Sequence, residues 1–415
     1  MSEDPRYTKC IGFKSIFYFC SLPLRLNSYR GCTHGCLYCF SRRLNNRAQG
    51  FHKCAVPADP ERFRRYMKAM DSQACQEGLV RSCLRHRVPI HFGCVSDPFP
   101  AVERETKTTQ RFLEVLAASA YPFVLSTKSN LVSQEPYLNL LSDAACSVQL
   151  SFSTLDSRLA RALEPGASSP LERLRAMEKL SQRGIYTVAR LQPLLYPLEE
   201  VSRQQIRAFA DAGAKHVVME HLRIPTNSSH GARTLLLRAT GMDFLRTYRA
   251  LGIRRSRISF ELTHELKLEN IMCCKKEVNG LGMTFGSGDN DFHHMSDTIC
   301  CCGVPNRPEF ANIYKGHLGA GAFRALRTGK ISWTYIEREW QPEGSTREHL
   351  NSDCRSSHCR SVIDLLRHRV KNHDSSNSPV SFFGIEHTGN STYRVDDAVR
   401  QRFLEGHQNA FSEAR

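Results

Sequence analysis

No run in this sequence comes near the ~20 consecutive apolar side chains that a bilayer-crossing helix needs, so no membrane contact is expected. The opening residues, Met-Ser-Glu-Asp-Pro-Arg-Tyr-Thr-Lys, carry no apolar core of a secretory leader. No fixed-period repeat runs through the chain. Acidic side chains are scarce as well: 41 Asp and Glu stand against 57 Lys and Arg, a net charge of +16 at pH 7. That balance favours a polyanionic partner, because each neutralised phosphate releases counterions. A merely soluble basic surface is the plain alternative. The arginines gather in Arg81–Arg87, Arg246–Arg257 and the last hundred residues.

Cysteine is abundant. There are 17, an odd number, with neighbours side by side at Cys273-Cys274 and Cys300-Cys301-Cys302. In a chain without an export signal such usage points to metal or redox work in a reducing compartment, not to disulfides. The expected compartment is the cytoplasm. With 415 residues, 41% of them hydrophobic, the chain buries a full core, as one large domain with an appendage or as two domains.

Three of the cysteines carry the sharpest signal. Cys32, Cys36 and Cys39 stand in the run Tyr29-Arg-Gly-Cys-Thr-His-Gly-Cys-Leu-Tyr-Cys-Phe40. Such a loop supplies three thiolates, whereas a cubane iron–sulfur cluster has four irons, each wanting a ligand. A structural zinc site closes with four ligands, often two Cys-x2-Cys pairs. Only one such pair lies here, and the next cysteine, Cys54, has no partner pair. A zinc knuckle and three plain structural cysteines remain the alternatives.

The loop resembles that of the radical S-adenosylmethionine (radical SAM) enzymes. The resemblance implies a [4Fe-4S] cluster on Cys32, Cys36 and Cys39 whose open iron chelates the amino and carboxylate groups of S-adenosylmethionine. It further implies reductive cleavage to a 5′-deoxyadenosyl radical, and an electron donor such as flavodoxin or ferredoxin. Tyr38 and Phe40 fit the family habit of an aromatic beside the last cysteine, near the adenine.

Downstream, short β-rich runs alternate with amphipathic stretches. Strands are expected at Pro89–Val95, Phe123–Ser126, Ser147–Phe152, Ile185–Leu191 and His216–Met219. Helices are expected over Thr106–Ala118, Glu135–Ala145, from the capping box Ser169-Pro-Leu-Glu172 to Gly184 with Leu171, Leu174, Met177 and Leu180 on its one apolar side, and through Ile206–Ala212. Alternation of this kind argues parallel βα units, in a barrel or in a doubly wound sheet. The family resemblance selects an α/β fold with a partial (β/α)6 TIM-type barrel and a cysteine-rich C-terminal extension. The expected domains are a core over residues 1–225, a helical extension completing the barrel over 226–299, and a basic cysteine-rich region over 300–415. Ligand loops belong at the carboxyl ends of the strands.

A second motif, Gly93-Cys94-Val95-Ser96-Asp97-Pro98-Phe99-Pro100, ends the strand after the cysteine loop. With Thr127-Lys128-Ser129 and Ser151–Pro170 it resembles the spore photoproduct lyase branch over roughly residues 25–225. The resemblance places Ser96, with Asp97 in the same motif, at the methionine amino group, Lys128 at the carboxylate, and Ser151 or Ser153 at the ribose or carboxylate. A cation on a partly buried carboxylate is physically sensible. The plain alternatives are a turn at Ser96-Asp97-Pro98 and a solvated lysine. The same branch implies that Cys94 returns a hydrogen atom to a product radical, whereas a buried cysteine at a strand end is commonly just a small hydrophobe.

The tail departs from that pattern. Cys301 and Cys302, with Cys354 and Cys359, suggest a second iron–sulfur cluster or a zinc site, or else redox thiols. Three functions stand. The first is radical repair or modification of DNA or RNA. The second is radical modification of a peptide, protein or small metabolite using an auxiliary cluster. The third is a non-catalytic zinc protein that binds RNA.

Overall fold

A computed structural model describes residues 10–14, 20–41, 51–69, 79–226, 230–255, 259–304, 307–315, 326–332, 385–389, 392–395 and 397–406. The chain forms two compact units. The first draws on Met1–Gly12, Arg25–Ala69 and Ile90–Thr284, the second on Phe13–Leu24, Met70–Pro89 and Phe285–Arg415.

The first unit is built on a mainly parallel sheet. Two short strands open the chain, β1 (Ile11–Phe13) and β2 (Leu24–Leu26). An antiparallel pair follows, β3 (Tyr29–Arg30) with β4 (Val56–Pro57), Tyr29 opposite Pro57. Then come β5 (Ile90–Phe92), β6 (Phe123–Thr127), β7 (Cys146–Phe152), β8 (Tyr186–Leu194) and β9 (His216–His221), each parallel to the next. Helices Thr108–Ala118, Tyr137–Ser142, Pro170–Gln182 and Arg203–Asp211 connect them. This is the expected α/β architecture, the partial (β/α)6 barrel.

Which sheet face is which follows from packing. Phe152 of β7 meets Phe209 of helix Arg203–Asp211 with ring centroids 4.9 Å apart. Strand residues alternate sides, so Val148, Leu150 and Phe152 face the helices, and Gln149, Ser151 and Ser153 face the opposite side. Register extends that second face to Ser126, beside Gln149, and to Arg190, beside Ser151.

The capping box forms as expected: Ser169 accepts from the Glu172 backbone N–H at 3.3 Å, and the Glu172 carboxylate takes the Ser169 N–H at 2.7 Å. The face of that helix differs, however. Leu171, expected inside, is 51% exposed, and Arg173 is fully buried in its place. The reason is electrostatic and lies in the site described below.

Past residue 225 the expected helices form, His230–Thr240 and Phe244–Leu251 among them, but an antiparallel ribbon that was not expected is interleaved with them: β10 (Ile224–Pro225), β11 (Ile253–Arg255) and β12 (Ser259–Leu262), ordered β10-β12-β11. Helix His264–Gly280 then leads to β13 (Thr284–Ser287), the last strand of the parallel sheet's order β1-β2-β5-β6-β7-β8-β9-β13.

In the second unit Ser21 donates to the Ile299 carbonyl at 3.2 Å and accepts, through its own carbonyl, from the Tyr314 N–H. A small sheet joins β14 (Lys330–Ser332), β15 (Ile385–Gly389) and β16 (Thr392–Val395) in the order β14-β16-β15. Among the described residues no helix is long and apolar enough to cross a membrane.

Candidate active site

The cysteine loop leaves β3 and returns to β4, and its path is fixed by backbone contacts. Gly31 has φ +94°, and a Cβ there would stand 2.2 Å from the Cys54 carbonyl oxygen, so the loop crosses itself where only glycine fits. Cys32 donates its N–H to Phe51 O at 2.8 Å. Beyond that the loop docks on the segment after β7: Leu37 N–H reaches Leu163 O at 2.9 Å, and Gly166 N–H reaches His34 O at 2.9 Å. A Cβ on Gly166 would lie 2.4 Å from Thr33 O and 2.9 Å from His34 Cα. Gly166→Ala is therefore expected to pry the loop from its seat and lower the iron bound on reconstitution, at a cost of about 1–3 kcal/mol. Gly280→Ala, which meets nothing within 4 Å, serves as the control; equal iron in both variants would count against this docking.

Cys32 and Cys36 are buried and Cys39 is partly exposed. Burial, and then the Asp97 carboxylate, pushes the Cys32 thiol up to about 12. Burial and then Glu164 pushes Cys36 well above the ordinary thiol range. A neighbouring thiolate at Cys39 would raise both further. Cys32 and Cys36 are therefore protonated until a cation supplies the compensating charge, and metal uptake releases protons. Among the described residues no three His, Cys, Asp or Glu side chains close tightly enough around one point to hold a single ion. A cubane spreads its ligands over separate irons, and the three thiols Cys32, Cys36 and Cys39 suit it, with Cys54, farther along the loop, exposed.

Two buried carboxylates tie this loop to the strand ends. Asp97, after β5, accepts at Oδ1 from Phe99 N–H (2.9 Å) and Thr127 Oγ1 (2.8 Å), and at Oδ2 from Lys128 N–H (2.8 Å). His34 Nε2 stands 3.1 Å from Oδ2, while His34 Nδ1 lies 2.9 Å from Gly166 O. Burial alone would raise the Asp97 carboxyl, but the facing His34 and the backbone N–H groups hold it below its ordinary value. With both oxygens engaged, Asp97 joins three loops and has little capacity left for a ligand.

Glu164 is the second node, 2% exposed. Its Oε1 accepts from Tyr38 OH, from Lys128 Nζ at 3.0 Å and from Ser153 Oγ at 2.8 Å. Its Oε2 lies 2.7 Å from Arg173 Nη2. Arg173, which also donates to the Ser151 carbonyl, stacks 5.2 Å over Phe152. Burial works against the charged form, yet Lys128 and Arg173 outweigh it and hold the Glu164 carboxyl at about 2. Two cations share one carboxylate, which leaves one positive charge over, suited to an incoming carboxylate.

The structure thus brings Tyr38, Lys128 and Ser153 onto a single acceptor, with Lys128 Nζ 5.6 Å over the Tyr38 ring. Ser96 is buried, and Cys94 is partly exposed. Their loop is positioned by Asn27, whose Oδ1 accepts from both Val95 and Ser96 N–H at 3.2 Å. Ser151 is buried on the same sheet face as Ser153. Phe40 is 57% exposed. Glu103 takes donors from Tyr29 OH, Tyr137 OH (2.7 Å) and the Thr109 and Gln110 N–H groups, so it braces the start of the cysteine loop and caps a helix. Of the tail residues, Cys302 is buried against Cys300, whose thiol is hydrogen-bonded to it, and Cys301 is partly exposed. Cys354 and Cys359 lie outside the described residues.

A polar chain crosses the same face. His91 Nε2 meets Ser126 Oγ at 2.7 Å, and Ser126 donates to Gln149 Oε1 at 3.0 Å. Arg190 Nη1 reaches the same oxygen at 2.8 Å, and its Nε donates to Gln192 Oε1. Gln192 Nε2 donates in turn to Glu220 Oε2, and Arg223 Nη2 stands 3.4 Å from Glu220 Oε1. Sequence reading missed His34, Asn27, Glu164, Arg173 and this chain. The alternation of polar residues in Ser147-Val-Gln-Leu-Ser151 was the one available signal.

A sequence model described as the radical SAM superfamily matches residues 26–210. An uncharacterized protein of Mycobacterium tuberculosis is 27% identical over 221 residues, 49% of this chain and 60% of that protein. An uncharacterized protein of Methanocaldococcus jannaschii is 25% identical over 178 residues, 42% of this chain and 62% of its own length. The chain therefore spans less than two thirds of either relative. Among solved structures, spore photoproduct lyase complexed with dinucleoside spore photoproduct aligns with 66% of this chain and 79% of its own, at 15% identity and TM-score 0.46. Streptococcus suis SuiB bound to S-adenosylmethionine aligns with 50% and 42%, at 16% identity and TM-score 0.34.

Proposed function

We propose, on the match of residues 26–210 to the radical SAM superfamily model, that this chain is a radical enzyme whose Cys32, Cys36 and Cys39 hold the [4Fe-4S] cluster that family implies. With Cys32, Cys36 and Cys39 holding it, such a cluster, once reduced by an external electron donor, would supply the one-electron reduction by which S-adenosylmethionine is cleaved for hydrogen abstraction from a substrate. One observation carries the reading: the cysteine loop is docked, through Gly166 and Leu37, beside a buried node with a cation to spare.

The protein's part is binding and orientation. Lys128 takes the cofactor carboxylate, with Glu164 still retained by Arg173. Ser96, presented by Asn27, takes the amino group, and Ser151 and Ser153 the ribose or carboxylate. Tyr38 lies toward the adenine, with Phe40 at the loop's exposed end. Asp97 holds the loops rather than the ligand. In this reading Cys94, two residues before Ser96, returns a hydrogen atom to the product radical.

The net charge of +16 favours a DNA or RNA substrate over a peptide or metabolite, with a flavodoxin or ferredoxin as electron source. A second thiolate centre using Cys301 and Cys302 with Cys354 and Cys359 is a separate proposal. Iron or zinc that persists after Cys32, Cys36 and Cys39 are all replaced by alanine supports it, and a metal-free triple variant removes it.

Anaerobic reconstitution followed by dithionite and S-adenosylmethionine tests the main reading. The expected product is 5′-deoxyadenosine, quantified by liquid chromatography and mass spectrometry. A colourless zinc protein that leaves the cofactor intact would return the chain to the non-catalytic RNA-binding reading.

A further inference from the structure

Each reductive cleavage of S-adenosylmethionine consumes one electron: the sulfonium–carbon bond breaks, methionine leaves, and an outside carrier is oxidised by one electron to restore the starting state. Electron transfer weakens steeply with distance, so the carrier has to land where a cluster ligand comes nearest the surface. Cys32 and Cys36 are buried, and Cys39 is partly exposed. Beside it Phe40, at 57%, is the most exposed large apolar side chain among the described residues. An aromatic ring left in water is the kind of side chain that protein contacts bury.

The charge around this end is one-sided. Residues 25–68 hold ten Lys and Arg against two acids, Asp59 and Glu61, so a short stretch carries half of the chain's net charge of +16. Both acids are already answered by the helix they open, Glu61 by Arg64 at 3.2 Å and Asp59 by Arg65 at 3.9 Å. Three further exposed cations belong to the loop and its immediate neighbours. Arg30 directly precedes the loop on β3. Lys53 lies in the turn packed on its start, where Cys32 N–H reaches Phe51 O and His52 Nδ1 stands 2.9 Å from Cys32 O. Arg62 is on helix Pro60–Lys68, which follows β4, the partner strand of β3. Cations at a rim steer an anionic partner and fix its orientation. A nucleic acid answers to the same charge, but its reacting carbon has to reach the cofactor, whose proposed ligands Tyr38, Lys128 and Ser153 converge on the buried Glu164. The exposed end of the loop needs to pass only an electron.

We infer that the exposed end of the cysteine loop, Phe40 with the cations Arg30, Lys53 and Arg62, is the landing surface for an acidic one-electron carrier protein of the flavodoxin or ferredoxin type. The need for a carrier rests on the radical reading given above; the surface and its residues are what is added. The contact is small and short-lived, as electron-transfer encounters are, and it weakens as salt screens it.

The test measures binding and turnover side by side on the reconstituted protein. Binding of dye-labelled oxidised flavodoxin is read by fluorescence anisotropy at low ionic strength, with labelled ferredoxin in parallel. Arg30→Glu combined with Lys53→Glu is expected to weaken binding about tenfold, and Arg62→Glu alone about threefold, the scale of reversed rim charges. Arg62→Glu, on a separate element, keeps the test open if the pair folds poorly. The control reverses Arg175 and Lys179, both exposed on helix Pro170–Gln182, and is expected to bind like wild type. With dithionite, a small reductant that needs no landing surface, all variants are expected to give the wild-type yield of 5′-deoxyadenosine. With photoreduced flavodoxin the rim variants should fall behind. Equal weakening by rim and control reversals would mean that net charge alone acts, and the surface would be rejected. A wild type that binds neither carrier rejects it as well, as do rim reversals that weaken a single-stranded oligonucleotide and leave both carriers untouched. If wild type makes no 5′-deoxyadenosine with dithionite, it is the radical reading that fails, whatever the binding shows.

Discussion

Cys36→Ala is expected to take 5′-deoxyadenosine formation to the level seen without protein, a loss of about 10³-fold or more, because it removes a ligand of the group that carries the chemistry. The fold should tolerate it. Cys36 is buried, but the loop is held by backbone bonds from its neighbours, Leu37 to Leu163 and Gly166 to His34, and alanine keeps most of the side-chain volume. Iron per chain should fall with activity while the circular dichroism spectrum stays. A variant with wild-type yield of 5′-deoxyadenosine would show that the cluster is held elsewhere.

Replacing Glu164 by alanine should have the largest effect on stability. It strands Arg173, fully buried, and Lys128 with no carboxylate between them. Breaking a buried pair in this way costs about 3–5 kcal/mol, readable as a lowered urea midpoint at unchanged slope. Adding Arg173→Met to Glu164→Ala should recover part of the loss, since removing both charges is less costly than orphaning one.

The same node sets an acid limit. The Glu164 carboxyl is held at about 2 against an ordinary 4.5. Its contribution, roughly 3 kcal/mol, is therefore fully present above about pH 4.5 and drains away as pH falls toward 2. Wild type should lose this increment across that window, and Glu164→Gln should not. Parallel acid titrations of the two proteins would contradict the assignment.

The strand–helix rhythm was legible because each buried strand is a short β-rich run closed by a turn, and because a capping box at Ser169–Glu172 announces its helix. The cysteine loop was legible because three ligands at fixed spacing leave few alternatives. The partners that hold it were not. Glu164 sits in Glu-Pro-Gly, which reads as loop punctuation, and nothing local says that its carboxylate gathers Tyr38, Lys128, Ser153 and Arg173 from four separate segments. Helix Pro170–Gln182 shows the same limit. Periodicity put Leu171 inward, whereas the buried Glu164 charge requires a cation, and the helix presents Arg173 instead. The ribbon β10–β12 escaped because its strands are short and face both ways, so no period of two had room to show.

Low-temperature electron paramagnetic resonance of the reconstituted, dithionite-reduced protein, recorded before and after S-adenosylmethionine, addresses the open iron directly. The account predicts a reduced cubane signal whose g values shift on addition of the cofactor, and no such signal in Cys36→Ala. A wild-type signal that S-adenosylmethionine leaves unchanged would mean that all four irons are already ligated by protein, contradicting the three-cysteine site.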